Sequence, residues 1–295
     1  MAVAITTSPS HLTSISPMDA KRLFIFSVVM FIASACAVSQ SGEVIRVGLL
    51  APFEGRYRAV GYDALFAARL ALNTQHSEQQ IELLAVDDGG SVELATQRAA
   101  ALAEDEQVRA VILLGREATA PQVQLALGDL PALVVGYSDS APQSNNVFFL
   151  ANIEYNDILA TFTADADHQA IVGDESLALE QFVRLEDNLE GVTIVTSGNL
   201  PDETFAEAYV TSDPFAPQPG LLATLTYDVF GMVAEIIRQN PSLSRAELTH
   251  QIEMKTYAGL SGEISFESGY WIDAPVNIFR HDSNGRLLPV ERVVK

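Results

Sequence analysis

Three loops of this sequence gather groups that could bind a small molecule, and each loop follows an apolar run. Tyr57 lies in the first loop, Ala118 and Thr119 in the second, and Ser138 and Ser140 in the third. Because the carboxyl ends of parallel strands meet at one edge of a sheet, these groups could converge on one ligand. Backbone amides at a helix start near Ala118 would favour a carboxylate. For each hydroxyl taken alone, helix capping or turn formation is the alternative.

The elements that must position these loops are short apolar runs that alternate with helical patterns. Apolar residues recur at helical spacing at about 62–73 and at 92–104. The intervening runs are rich in Val, Ile and Leu, which is typical of strands buried on both faces. These runs occupy 44–50, 81–86, 108–114 and 133–135. The alternation predicts an α/β fold with a doubly wound parallel sheet.

Composition and charge restrict the function classes. The 295 residues include 38 acidic and 17 basic ones, which gives a formal net charge of −21. Because phosphate neutralisation needs clusters of Lys and Arg, this balance argues against nucleic-acid binding. The acidic surface is interpreted as a contribution to solubility. The single cysteine excludes an intramolecular disulfide.

Signatures of enzymes and metal sites are absent from the sequence. It contains no G-x-S-x-G, H-E-x-x-H, Walker or G-x-G-x-x-G motif, and its five histidines have no ligand spacing. Asp87 and Asp88 form an acidic pair, but a hard-cation loop needs more oxygen ligands, so a turn at the end of a strand is favoured. We therefore expect no enzyme activity, no cofactor and no metal.

The first 36 residues have the pattern of a targeting segment rather than of a folded domain. Lys21 and Arg22 precede an apolar stretch at 23–35 that is short for a membrane span. Cys36 follows small residues directly, which resembles a bacterial lipoprotein signal and predicts a lipid anchor at Cys36. An ordinary secretory signal is the alternative. The start at Met18 instead of Met1 is also left open.

Several motifs carry a family resemblance. The run at 47–52, Gly55 and Tyr57, and the helix pattern at 61–73 resemble the start of the branched-chain amino-acid-type solute-binding proteins. These are the type I periplasmic binding proteins of ABC importers, whose fold has two α/β lobes. Tyr227-Asp228 in a long helix and the glycine-rich turn before Phe266 resemble later parts of the same family.

The middle of the chain departs from that family pattern. The run at 147–150 resembles the strand that crosses to the second lobe, and Glu154 to Ala166 resembles the first helix of that lobe. The chain then goes almost directly to 170–173, which resembles the last strand of the same lobe. Since one strand–helix unit takes roughly 30 residues, two or three units are missing. We therefore predict a first lobe at 43–150 and 192–258. A reduced second lobe is predicted at 151–191 and 259–295.

The resemblance implies a function and a set of partners. In the family, amides and hydroxyls of the two corresponding loops hold the ligand, which points to Ala118, Thr119, Ser138 and Ser140. It implies an amino acid or a similar small amide or carboxylate as ligand and ABC permease subunits as partners. It also implies export across the bacterial inner membrane, with attachment to the membrane through the lipid anchor. The alternative is a scaffold or sensory module that has kept the fold without a transport ligand.

Overall fold

The large sheet and its flanking helices form most of the described structure. The computed structural model describes residues 44–74, 80–155, 157–158, 160, 171–185, 189 and 191–290. The predicted targeting segment with Cys36 lies outside these residues, as does most of the helix predicted to end at Ala166. The strands are β1 Ile45–Ala51, β2 Ile81–Asp87, β3 Val108–Leu113, β4 Ala132–Val135, β5 Val147–Leu150, β6 Val172–Gly173, β7 Thr193–Thr196, β8 Tyr257–Gly259, β9 Gly262–Ile264, β10 Phe266–Glu267, β11 Tyr270–Trp271, β12 Asn277–His281 and β13 Leu287–Pro289.

Seven strands build the large sheet in the order β10-β11-β5-β4-β3-β1-β2. All neighbouring pairs from β11 to β2 are parallel, and only β10 runs antiparallel to its neighbour β11. The order reverses between β3 and β1, as in a doubly wound sheet. The predicted fold class is therefore confirmed.

Five helices cover the two faces of this sheet. The helices with defined bounds in the described ranges are α1 Arg58–Thr74, α2 Val92–Glu104, α3 Pro121–Ala126, α4 Glu180–Leu185, α5 Glu203–Ser212, α6 Ala223–Gln239 and α7 Arg245–Met254. α1, α6 and α7 pack on one face, and α2 and α3 on the other. Alternate strand residues point to opposite faces, so that Ala110 and Ile112 join the first cluster while Val111 and Leu113 join the second.

A smaller, four-stranded sheet forms the reduced second lobe, in the order β13-β12-β7-β6. β6 and β7 are parallel, and β12 runs antiparallel to both β7 and β13. β12 and β13 form a hairpin around Asn284 and Gly285, and Gly285 has the positive φ of 76° that such a turn favours.

Three strands do not lie in the sheet that the lobe boundaries predicted from the sequence assign to them. β10 and β11 come from the segment assigned to the second lobe but extend the large sheet beside β5. β7 comes from the segment assigned to the first lobe but lies in the small sheet. The sequence did not indicate this exchange, because strands of two or four residues carry no signal for their partner.

Candidate ligand-binding site

The loop after β1 is held in place by Asp87 at the end of β2. One carboxylate oxygen accepts a bond of 2.7 Å from the Phe53 amide, and the other accepts bonds of 3.0 Å from the Gly89 amide and from Arg98 Nη1. Although burial opposes ionisation, these donors keep the pKa of Asp87 below its usual range. The acidic pair therefore forms a turn at the end of a strand, as predicted, and fixes the approach to Tyr57.

A cleft of about 350 Å³ opens beyond the carboxyl ends of the strands. Loops after β1, β3 and β4 of the large sheet form one side, and the turn after β6 of the small sheet forms another. Ligands of doubly wound proteins bind at this edge. The cleft is lined by Tyr57, Val60, Gly115, Arg116, Tyr137, Asp139, Asp174, Glu175, Ser176 and Leu222.

Of the five ligand-binding residues predicted from the sequence, Tyr57 lines this cleft and the other four do not. Tyr57 is 40% exposed. Ala118 and Thr119, in the loop after β3, and Ser138, in the loop after β4, are buried. Their assignment as ligand contacts stays a prediction.

The polar groups of these residues bond to one another and to Gln124. The Ser138 and Ser140 hydroxyl oxygens are 2.9 Å apart, and the Ser140 hydroxyl donates to the Thr119 carbonyl at 2.9 Å. Gln124 Nε2 donates to that same carbonyl and to the Ser140 hydroxyl, both at 2.8 Å. This network ties the loop after β3 to the loop after β4, so the two loops do converge, as expected from the strand order.

Glu175, which the sequence analysis did not single out, reaches the end of β4 from the small sheet. It begins the short 3₁₀ helix Glu175–Ala178 after β6, and its Oε1 accepts a bond of 2.6 Å from the Tyr137 amide. A Cβ atom on Gly136 would lie 2.3 Å from that oxygen, so glycine is required there, and its φ of 85° is also one that other residues avoid.

The second carboxylate oxygen of Glu175 is buried without a hydrogen bond from the described residues that would offset the loss of contact with water. Oε2 is buried and has no hydrogen-bond partner among the described residues, although the Thr196 hydroxyl lies close enough to favour the ionised form. Burial and the neighbouring charge of Asp174 raise the pKa of Glu175 to about 7. Near neutral pH the cleft therefore contains a carboxyl group that gains or loses a proton easily.

The other carboxylates of the cleft are bonded to its own donors. Arg116 Nε lies 3.3 Å from Asp139 Oδ2, and the Tyr137 hydroxyl donates to Asp139 Oδ1. The Ser176 amide donates to Asp174 at 2.7 Å. Among the described lining residues, three carboxyl groups face a single guanidinium, so the cleft is acidic.

Tyr155 joins the two sheets behind the cleft. Its ring centroid lies 5.7 Å from that of Tyr137, and its buried hydroxyl donates to the Val195 carbonyl in β7. Tyr137, which lines the cleft, therefore packs against a residue that is bonded to the small sheet.

Comparison with known proteins agrees with this geometry. Residues 44–179 match the model of a family described as periplasmic binding protein. The chain has the fold of a type I periplasmic binding protein. The resemblance to the branched-chain amino-acid-type members of this group is thereby confirmed, and the group consists of solute-binding proteins, not enzymes. A search of curated proteins gave no match.

Solved structures with this fold hold different ligands. The branched-chain amino acid transporter substrate-binding protein LivJ of Streptococcus pneumoniae, in complex with isoleucine, has a TM-score of 0.66 at 15% identity, over 83% of this chain and 97% of that one. An ABC transporter substrate-binding protein of Desulfitobacterium hafniense in complex with Leu has 0.64 at 16%, over 84% and 100%. A solute-binding protein of R. palustris in complex with benzoate has 0.60 at 13%, over 84% and 95%. At such identities the likeness establishes the periplasmic-binding-protein fold alone.

No helix in the described ranges, from 44 to 290 with their gaps, is long and apolar enough to cross a bilayer.

Proposed function

We propose that this protein is the extracytoplasmic solute-binding component of an ABC importer and that it takes a small amino-acid-like molecule into the cleft. The observation that carries the proposal is the position of that cleft between the strand ends of both sheets. Its volume of about 350 Å³ lies at the small end of the range for ligand pockets, about 300 to 1,000 Å³. An amino acid, a small amide or a small carboxylate is the size of ligand that fits.

Closure around the ligand supplies the mechanism. Tyr57 and Tyr137 approach from the large sheet, and Ser176 approaches from the turn after β6 in the small sheet. A ligand that contacts both sides favours the closed arrangement over the open one, by the difference in its affinity for the two. The closed form would then be the one that the permease subunits recognise.

The predicted lipid anchor at Cys36 completes this proposal. It would keep the protein at the outer face of the membrane, beside the permease, after export. The family match and the amino-acid complexes among the similar structures support this location and role.

Thermal unfolding of the full-length chain against a panel of compounds tests the proposal. The panel contains free amino acids, their amides, small carboxylates and small amines. A compound present at about 100 times its dissociation constant adds roughly 2.7 kcal/mol to the free energy of unfolding, which raises the transition temperature. A Tyr57→Ala variant should lose this shift while keeping its ligand-free transition, because Tyr57 is exposed and lies at the cleft.

A scaffold or sensory module is the second candidate function. It is favoured by the hydroxyl groups of Ser138 and Ser140, whose bonds are made within the protein. A cooperative transition that no compound of the panel moves would support this candidate and refute solute binding.

A further inference from the structure

The cleft has an excess of negative charge that its own donors do not balance. Asp139, Asp174 and Glu175 line it, and Arg116 is the one guanidinium among the described lining residues. Arg116 already lies 3.3 Å from Asp139 Oδ2. A ligand that enters this space therefore meets a net negative field, which favours a cation.

Three donors at the cleft are engaged by these carboxylates. The amide of Tyr137, at the carboxyl end of β4, donates to Glu175 Oε1 at 2.6 Å. Its hydroxyl donates to Asp139, and the Ser176 amide donates to Asp174 at 2.7 Å. A ligand carboxylate would have to displace a carboxylate of the protein from each of these groups.

Two features of the site complement a cation. Glu175 is a lining residue whose buried Oε2 has no hydrogen-bond partner in the described part of the chain apart from the nearby Thr196 hydroxyl, and an ammonium group forms charge-assisted hydrogen bonds with a carboxylate. The rings of Tyr57 and Tyr137 lie among the lining residues, and aromatic faces attract ammonium ions.

We propose that the cleft selects small organic ammonium ions without a free carboxylate, such as primary amines and amino-acid amides, because Glu175 takes the place of a ligand carboxylate at the Tyr137 amide. This inference rests on the proposed solute-binding function and narrows its ligand class. Free amino acids would bind more weakly, since their carboxylate meets Asp139, Asp174 and Glu175.

Calorimetric titration of the full-length chain with matched compounds tests this selection. Leucine, leucinamide, isoamylamine and isocaproate share one isobutyl group and differ in the amine and the carboxylate, and benzylamine and benzoate form a second pair. At about pH 8 we expect leucinamide, isoamylamine or benzylamine to bind at least about ten-fold more tightly than its carboxylate-bearing counterpart. Leucine or benzoate binding as tightly as the amines would overturn the inference and leave solute binding intact. If neither these six compounds nor the compounds of a wider panel bind, both the selection of amines and the proposed solute-binding function are overturned.

Two variants test the assigned groups. Glu175→Gln keeps an oxygen that can accept from the Tyr137 amide, so the fold should persist, and amine affinity should fall at least about ten-fold. Asp139→Asn should also weaken amine binding, while it releases Arg116 and so improves binding of leucine. Glu253→Gln, an exposed position on α7, is the matched control and should behave as the unchanged protein. Amine affinity that is the same in all three variants would overturn the assignment.

Discussion

Asp63 in α1 is a buried carboxyl group whose ionisation should make stability depend on pH. Its Oδ1 accepts bonds of 2.9 Å from the Gly220 amide and 3.2 Å from the hydroxyl of Tyr209, and its side chain is almost fully buried. Burial outweighs these donors and raises the pKa of Asp63 from 3.8 to about 6. The folded state therefore holds this proton more tightly than the unfolded state does.

The sign and size of the effect follow from that difference. Stabilisation by the protonated group is fully present below about pH 4 and is lost as pH rises to about pH 6. A rise of the pKa from 3.8 to about 6 corresponds to about 3 kcal/mol, at about 1.4 kcal/mol for each ten-fold change in the ionisation constant. Asp63→Asn removes the ionisation. The free energy of unfolding of the variant, relative to the unchanged protein, should therefore rise by about 3 kcal/mol between about pH 4 and pH 8.

Urea unfolding at several pH values measures this, with fluorescence of the single, buried Trp271 as the probe. At low pH the variant should be less stable by about 1 kcal/mol, the usual net loss when one hydrogen bond becomes poorer. Glu207→Gln, at an exposed position of α5 near Tyr209, is the control and should not change how the free energy of unfolding depends on pH. A constant difference between Asp63→Asn and the unchanged protein over the whole pH range would refute the reasoning.

Three further predictions concern the cleft, the turn between β8 and β9, and the anchor. Isoamylamine affinity should rise about ten-fold from about pH 6 to pH 8, because the amine binds the ionised form of Glu175, whose pKa is raised to about 7; calorimetry should show this rise, and Glu175→Gln should flatten it. Asp228→Ala should lower the free energy of unfolding by about 3 kcal/mol in urea titrations, because this buried carboxylate accepts bonds of 2.8 and 2.7 Å from the amides of Leu260 and Ser261; Asp228→Asn should lose less. Cys36→Ala should move the protein from the membrane fraction to the soluble fraction of cells, and unchanged fractionation would contradict lipid anchoring.

The large sheet could be predicted from the sequence because its strands are continuous apolar runs. Val147–Leu150 and the helix Val92–Glu104 have the predicted bounds, since burial on both faces of a strand and Ser91 at the helix N-cap leave clear local signals. β6 and β11 have two residues each. Their pairing depends on packing between distant segments, which no local pattern records.

The candidate site shows the same division between local and long-range information. Tyr57 was predicted correctly as a residue of the loop beyond β1, because loop position follows from strand order. Ser138 and Ser140 have the right residue types in the right loop, but the Ser140 hydroxyl is bonded to Gln124 of the preceding helix, α3, and to the Ser138 hydroxyl. Glu175 reaches the Tyr137 amide across 38 positions of sequence, so its role could be seen only once β6 and β7 were paired.

The reduced second lobe and the acidic cleft are physically connected in this proposal. A shorter lobe offers less surface to bury the ligand's side chain, so affinity has to come from a few strong contacts. Hydrogen bonds to charged groups are roughly twice as strong as those between neutral groups. Under the proposal, Glu175 and Asp174 would supply such contacts from the turn after β6, the segment of the small sheet that lines the cleft. The charge of the cleft would then replace part of the surface that a longer lobe buries around its ligand.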